Sequence, residues 1–308
     1  MGRKIRVESA DYPFLLTTRT RNSELWLVNN PALELQILGK LAKYQETHAV
    51  SLYAFCLQGD HYHGAATFSQ LNRAGFMRDL NASIARAVQR YVPTYPGGSL
   101  WAREYSDEPL PNTEDLEEYF FYCALQPVRA GLCERISEYP GYNSFFDAIS
   151  GRERKFKVVD WAAYNARKRY DKKSTVKEFT RTHTLSYKRL PGYEHLSQEE
   201  YKGLMLKKLE QRRLALVAAR RKAGKGFAGR KALLKTAPGS RPKHTKTSTR
   251  TSFRPLVLTK CLETKRRFLE WYFAVVRAYK EASRRFRNGE LDTPFPPGTF
   301  RPPLFVAP

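Results

Sequence analysis

Two hydrophobic repeats alternate along the first 125 residues, and their order restricts the fold. Apolar side chains at every second position predict strands, and apolar side chains at i, i+3, i+4 and i+7 predict helices. The polar residues 58–62 join two strands as a hairpin, and a short fourth strand is predicted at about 102–108. This order indicates an α+β fold with an antiparallel sheet. The predicted strands are 12–20, 49–57 and 63–68, and the predicted helices are 31–48, 69–92 and 112–125.

The basic residues are concentrated in the second half of the chain. Of 54 lysines and arginines, 40 lie in residues 151–308 together with only 13 of the 30 acidic residues, which gives this half a net charge of +27. A surface this basic favours a polyanionic partner, because each phosphate that it neutralises releases counterions. Nucleic acid is therefore the predicted partner. An anionic membrane is disfavoured, because we find no strongly amphipathic basic helix with aromatic anchors.

The cysteines and the N-terminus bear on the cellular compartment. Cys56, Cys123, Cys133 and Cys261 are far apart and form no CxxC pair, so neither a disulfide framework nor a zinc ribbon is predicted. The first residues lack the apolar stretch of a signal peptide, and the longest apolar runs are far too short to cross a membrane. We expect a cytoplasmic, nucleoid-associated protein with no membrane partner.

Two histidines follow the hairpin turn in the stretch LYAFCLQGDHYHGAATF. Side chains at i and i+2 of a strand lie on one face, so the neutral imidazole nitrogens of His61 and His63 can bind one divalent metal ion. Tyr62 between them is predicted to point to the opposite face. The alternative is a polar strand start with two solvent-facing histidines, and the pair by itself does not decide between these interpretations.

A second cluster lies in the third predicted helix, in the stretch YFFYCALQPVRAG. Tyr122 and Gln126 are four residues apart and therefore lie on the same face of that helix. A tyrosine beside a metal site can act as the nucleophile on a phosphodiester that the ion polarises, forming a phosphotyrosine. The alternative is that Tyr122 is a core or rim residue of an aromatic helix.

Three stretches together resemble the HUH single-strand transposases, in particular the REP-associated tyrosine transposases. They are GDHYHGAATF, GSLWAREYSDEPL and YCALQPVRAGLCERISEYPGYNSF, and the resemblance covers roughly residues 10–150. It implies a catalytic domain at 1–150 with a ferredoxin-like antiparallel sheet and helices on one face. It also implies a metal-dependent transposase that cuts and rejoins single-stranded DNA beside a hairpin through a 5′-phosphotyrosine intermediate.

The resemblance also assigns roles to individual residues. It implies that Tyr122 is the nucleophile and that His61, His63 and Gln126 bind a Mg2+ or Mn2+ ion. Two positions depart from the family pattern, because Asp60 and Gln126 stand where Asn is common. Asp60 either adds a carboxylate near the metal or only shapes the turn. The tyrosine helix can dock on the histidines of its own chain or on those of a partner in a homodimer, and the sequence leaves this open.

Further residues are predicted to contact DNA. Around the linker and the third helix they are Trp101, Arg103, Tyr105 and Arg129, although Trp101 and Arg129 can equally pack the linker or bind a helix end. In the stretch ARRKAGKGFAGRK the predicted phosphate contacts, with a solvated charged face as the alternative, are Arg220, Arg221, Lys222, Lys225, Arg230 and Lys231.

Residues 151–308 are predicted to form a basic, mainly helical and partly flexible DNA-binding extension. Helices are predicted at 197–222, where Ser197 and Glu200 have capping-box spacing, and at about 259–288. The segment 223–255 is rich in Gly, Ser, Thr and Lys and is predicted to be flexible.

Two other functions fit the same sequence. A non-catalytic DNA- or RNA-binding module has the same sandwich and basic tail, but such a module is free to lose a histidine, the tyrosine or the glutamine, and all are present. A structural zinc protein would use His61, His63 and a cysteine such as Cys56 or Cys123.

Overall fold

The first half of the chain forms a four-stranded antiparallel sheet with helices. The computed structural model describes residues 4–242 and 254–303. The strands lie side by side in the order β2, β3, β1, β4, and every neighbouring pair is antiparallel. This order and the βαββαβ connectivity are those of a ferredoxin-like sheet, which confirms the predicted α+β class. The elements are β1 (Phe14–Arg19), α1 (Pro31–Thr47), β2 (Ser51–Leu57), β3 (His61–Thr67), α2 (Arg73–Tyr91) and β4 (Ser106–Pro109).

Local sequence explains where these elements begin and end. Helix α1 begins at Pro31, and the side-chain oxygen of Asn30 accepts a hydrogen bond of 2.9 Å from the Leu33 amide. The turn between β2 and β3 needs a glycine, because a Cβ on Gly59 would lie 2.6 Å from Val28 Cγ1. The predicted fourth strand is shorter than expected, because only Ser106–Pro109 pair with β1.

The two faces of the sheet are covered by different helices. Helices α1 and α2 pack together on one face, where the Tyr62 hydroxyl donates a 2.7 Å hydrogen bond to the Asn81 side chain of α2. Helices α1 and α2 are therefore the helices that were expected on one face of the sheet. Helix α3 (Thr113–Ala124) lies on the opposite face, where Tyr122 contacts His63. Helix α3 leaves part of the histidine face open as a cleft.

The second half adds helices and one β-ribbon that the sequence did not predict. Strands β5 (Arg154–Val159) and β6 (Thr180–Leu185) pair antiparallel. Their periodicity was hidden by the high density of charged residues. The helices of this part and the end of the first are α4 (Gln126–Arg129), α5 (Phe145–Ser150), α6 (Trp161–Tyr170), α7 (Gln198–Lys222), α8 (Arg230–Leu234) and α9 (Leu262–Arg287), and short 3-10 turns lie at Arg21–Ser23, Ile136–Glu138 and Val176–Phe179.

Helix α7 binds the second half to the first. It begins with the predicted capping box of Ser197 and Glu200. Further along, Lys208 Nζ lies 2.9 Å from the carboxylate of Glu117 on α3, and Arg212 lies 3.3 Å from the same carboxylate. These ion pairs fix the α7 axis against the tyrosine helix.

The N-terminal segment and α9 form a small separate core. Phe268 and Tyr272 of α9 pack against Val7, and the Tyr272 hydroxyl donates a 2.8 Å hydrogen bond to the Ile5 carbonyl. Helix α9 is basic and amphipathic, contrary to our expectation, but this face of it is buried against the chain's own N-terminal segment. Among the described residues no helix is both long and apolar enough to span a membrane.

The segment predicted to be flexible, 223–255, is in part fixed to the first half. The Asn29 side chain donates hydrogen bonds of 2.8 and 2.7 Å to the carbonyls of Leu233 and Thr236. The Leu25 amide donates 2.8 Å to the Ser240 carbonyl. Residues 243–253 of the predicted flexible segment lie outside the described residues.

Candidate functional site

The two histidines lie side by side on the face that α3 covers. Their ring centroids are 4.9 Å apart, and both side chains are buried at the floor of a cleft. His63 Nδ1 lies 2.7 Å from Thr17 Oγ1 on β1, and His61 Nδ1 lies 2.5 Å from Asp60 Oδ1. Because both Nδ1 atoms have partners, the Nε2 atom of each ring is left to act as a ligand.

Asp60 does more than shape the turn. Its Oδ2 also lies 3.0 Å from Arg19 Nη1 on β1, so the carboxylate joins the His61 ring to a guanidinium at the cleft wall. Burial raises the pKa of Asp60, but the bonds to His61 and the charge of Arg19 outweigh burial and hold the pKa below its ordinary value. The Asp60 carboxylate therefore fixes the orientation of the His61 ring through its Nδ1 atom.

Helix α3 brings Tyr122 onto His63. The two ring centroids are 5.3 Å apart, and Tyr122 also contacts the ring of Tyr119 at 5.4 Å. The Arg129 guanidinium lies 5.3 Å from the centroid of the Tyr122 ring. Burial raises the pKa of the Tyr122 phenol, and the nearby Gln126 amide and Arg129 charge offset part of that rise. The phenol is half-buried and reaches the cleft.

Gln126 lies one turn beyond Tyr122 but in a new helix. Helix α3 ends at Ala124, Leu125 has φ −91° and ψ 7°, and α4 begins at Gln126 with a proline next to it. Pro127 has no N–H and favours the start of a helix over the interior of one. The Gln126 side chain is buried in the cleft, and its Nε2 has no hydrogen-bond partner among the described residues. Nε2 is an N–H donor, so it is the Oε1 atom of this amide that would bind a metal ion.

Among the described residues, the cleft lacks the donor set of a structural zinc site. Burial, with the His61 ring and Arg19 nearby, lowers the pKa of His63 well below its ordinary value, so its imidazole is neutral. Across residues 4–242 and 254–303, no three or more His, Cys, Asp or Glu side chains are grouped so that they could hold a metal. Burial raises the pKa of both the Cys56 and Cys123 thiols, which keeps them protonated. The geometry therefore gives no support to the zinc alternative.

The second half of the chain forms one wall of the cleft. The cleft has a volume of about 1300 Å³, with the histidines, Tyr122 and Gln126 on one side. The opposite wall contains residues from α7, α8 and the segment that follows them, including Leu216, Arg220 and Leu233. Sequence analysis did not predict that residues so far along the chain from Tyr122 would enclose the same cavity.

The residues that were predicted to contact DNA lie in different parts of the structure. Arg129 and Arg220 both line the cleft. Trp101 lies on the far side of the sheet, where its Nε1 donates 3.0 Å to the Asn81 carbonyl, so its contacts are those of a residue that packs the linker. Tyr105 is covered by the Arg6 guanidinium at 3.8 Å, and Arg103 is exposed. The tertiary structure therefore separates the linker residues from the tyrosine.

Several arginines of the predicted phosphate patch contact the protein itself. Arg221 lies 2.6 Å from Glu134, and Arg230 donates 3.3 Å to the Glu138 carbonyl. Arg220 donates 2.7 Å to the Gly226 carbonyl. The patch residues whose side chains are exposed without a protein contact of this kind are Lys222, Lys225 and Lys231.

Sequence reasoning missed residues of β1 and β4 at the site. Thr17 faces His63 across the β1–β3 pair, and Ser106 faces Thr17 across the β1–β4 pair. Ser106 Oγ donates to the Glu108 carboxyl, whose pKa is raised by burial. Strand register brings these side chains to the histidine face. In the sequence, the alternation of side chains along β1 and β4 was the only sign that they would lie there.

The chain was compared with known proteins. No protein-family model matches it, and no curated protein matches it. A solved REP-associated tyrosine transposase bound to a REP hairpin is similar to it, with a TM-score of 0.41 and 16% identity over 47% of this chain and 84% of the other. A tRNA(His) guanylyltransferase from Saccharomyces cerevisiae has a TM-score of 0.32 and 10% identity over 48% and 69% of the two chains. Likenesses this distant do not tell what this chain does.

Proposed function

We propose that the protein is a metal-dependent single-strand DNA endonuclease and strand transferase, with Tyr122 as its nucleophile. Hairpin-containing DNA is the proposed substrate, on the basis of the three stretches that resemble the REP-associated transposases. The net charge of +27 in the second half supports a DNA partner.

One observation carries the proposal. Tyr122 lies against His63 in a cleft where both histidines have their Nδ1 atoms engaged and their Nε2 atoms free. A tyrosine with only a packing role would not need two histidines beside it. A histidine pair that faced the solvent would not need a buried hydrogen-bond partner at each Nδ1 atom. This juxtaposition supports the assignment of Tyr122 as a nucleophile that acts beside a metal ion held by the histidines.

In the proposed reaction the phenol oxygen of Tyr122 attacks a backbone phosphorus in line. The new bond joins the phenol oxygen to phosphorus while the bond from phosphorus to the 3′ oxygen breaks, and the phenol proton ends on that 3′ oxygen. The 5′ end remains on the tyrosine, and attack by another 3′-hydroxyl reverses the step and joins strands. The exchange conserves phosphodiester bonds, so it needs no nucleotide or oxidant.

Several other residues of the cleft have roles in the proposed reaction. His61, His63 and the Gln126 amide would hold a Mg2+ or Mn2+ ion, which supplies Lewis-acid polarisation of the phosphate. Arg129 lies over the Tyr122 ring, where its charge favours the phenolate. Arg19 and Arg220 on the cleft walls offer charge to the flanking phosphates.

The decisive experiment incubates the full chain with labelled single-stranded hairpin DNA from the flanks of its own gene, with Mn2+ or EDTA. We expect a covalent protein–DNA adduct that needs the metal and is absent from Tyr122→Phe. Tyr119→Phe is the matched control, because that tyrosine is one turn away in the same helix and touches Tyr122. It should still form the adduct.

The non-catalytic binding module predicts a different outcome. In that case hairpin DNA is bound and shifted in a gel, but no adduct or cut strand forms with any metal. An adduct that persists in Tyr122→Phe but not in Tyr119→Phe would show that the wrong tyrosine has been assigned.

A further inference from the structure

The β-ribbon of the second half is a compact basic unit outside the cleft. It comprises β5, β6 and the connecting segment 160–179, and we call it the basic ribbon. Residues 154–185 contain ten lysines and arginines and only three acidic residues. None of them was among the predicted DNA contacts, and none of them lines the cleft.

Strand register sorts the side chains of the basic ribbon into two faces. Lys157 pairs with Thr182, and Lys155 pairs with Thr184, so these four side chains share one face. The alternate residues Phe156 and Val158 are buried on the other face. Lys155 and Lys157 are exposed, and the outward face therefore presents lysine and threonine without an aromatic side chain.

The acidic residues of the basic ribbon are used locally. Asp160 caps α6 by accepting from the Ala163 amide, and Asp171 accepts from the Lys173 amide. Glu178 accepts from the Thr175 amide. Within the described residues Lys155, Lys157, Lys172, Lys173 and Lys177 have no ion-pair partner, and all five are exposed.

The basic ribbon is held rigidly against α1. A Cβ on Gly39 of α1 would lie 3.2 Å from Val158 Cγ2, which shows how closely the two elements approach. Gln45 Nε2 donates 2.7 Å to the Ser186 carbonyl, and His183 Nδ1 lies 2.6 Å from the Glu46 carboxylate. Helix α1 covers the sheet face opposite the histidines, so the outward face points away from the catalytic cleft.

We propose that the outward face of the basic ribbon binds a segment of DNA duplex, separate from the strand that enters the cleft. A two-stranded β-ribbon has the width to enter the major groove of B-form DNA, and its lysines then reach phosphates on both sides. Single strands are bound by stacking on aromatic side chains, and the two strands present none on this face. The exposed aromatic side chains of the basic ribbon, Trp161 and Tyr170, lie in the connecting segment. The deep, narrow major groove of duplex RNA excludes a ribbon.

The test measures binding of a labelled blunt DNA duplex to the full chain by fluorescence anisotropy over a series of NaCl concentrations. The variant replaces by Ala the two lysines of the outward face, Lys155 and Lys157, and two exposed lysines of the connecting segment, Lys172 and Lys173. Each phosphate contact contributes about 0.9 to the slope of log affinity against log salt, so we expect the slope to fall by about 3 to 4. Binding is measured in EDTA, where no cleavage occurs, so the result does not depend on the proposed chemistry of Tyr122.

Two controls make the test specific. The first removes the same charge from exposed positions of α9, at Arg266, Arg277, Lys280 and Arg287, and should leave most of the slope intact. The second replaces the four ribbon lysines by Arg, which keeps the charge and should keep the slope. All of these residues are exposed, and the melting temperature of each variant is measured to establish that it is folded.

Other outcomes overturn the proposal. An equal loss in the α9 variant means that binding reflects diffuse charge rather than this face. If the ribbon variant loses binding only to a single-stranded oligonucleotide of the same length, the face binds single-stranded DNA and not duplex DNA, which contradicts the proposal. An unchanged slope in the ribbon variant means that duplex DNA binds elsewhere or not at all.

Discussion

Removing the Asp60 carboxylate should weaken metal binding without abolishing the fold. Asp60 holds Nδ1 of His61 at 2.5 Å and Arg19 at 3.0 Å. In Asp60→Ala the ring can rotate and can carry its proton on Nε2, where it no longer binds a metal. Loss of such an orienting partner costs about 10- to 100-fold in metal affinity, which corresponds to about 1.4 to 2.7 kcal/mol.

The free energy of unfolding should fall by a similar amount. Arg19 is partly exposed and can be solvated, so the main cost is one buried imidazole N–H without an acceptor, about 1 to 3 kcal/mol. Asp60→Asn is the matched control, because its amide oxygen can still accept from Nδ1 while the charge is gone. It should lie between the native protein and the alanine variant.

Two measurements check this prediction. Mn2+ binding is followed by electron paramagnetic resonance, and the Mn2+ concentration for half-maximal formation of the Tyr122 adduct is measured in parallel. Thermal unfolding establishes that each variant is folded. An Asp60→Ala protein with native Mn2+ affinity would refute the view that Asp60 orients His61. Asp60 would then only shape the turn.

Three further predictions concern the stability of the fold. Arg73 is 1% exposed and lies 3.0 Å from Asp107. Arg73→Met should lower the free energy of unfolding in urea by about 3 kcal/mol or more, because it removes a partner of the buried Asp107 carboxylate. Adding Asp107→Asn to the same chain should recover part of that loss. Burial works to raise the pKa of Glu117, but hydrogen bonds from Tyr193 and Lys208 outweigh it and hold the pKa below 4.5. The stabilisation of the fold by Glu117 is therefore present above pH 4.5 and is lost as the pH falls through the lowered pKa. Glu117→Gln should lower the free energy of unfolding by about 1 to 2 kcal/mol at pH 7 and should not change it well below the lowered pKa. An equal loss at both pH values would contradict this prediction. Phe268→Ala should loosen α9 by about 3 kcal/mol and speed its proteolysis, while an unchanged cleavage rate would mean that the helix is held by other contacts.

Much of the fold follows from local pattern. The alternation of two-residue and helical repeats before residue 125 is enough to predict the order of strands and helices, because each element must bury one face. The same alternation predicts that His61 and His63 share a face while Tyr62 points to the other, as their contacts confirm. The capping box at Ser197 likewise depends only on neighbouring residues.

Strand register and long-range packing decided the rest. Thr17 reaches His63 because β1 and β3 pair in one particular register, and a shift of one residue would turn it to the opposite face. Leu216 and Arg220 line the cleft because ion pairs from Glu117 dock α7 on α3. The sequence specifies these side chains but not their distances, since contacts between residues far apart in the chain depend on how the whole core packs.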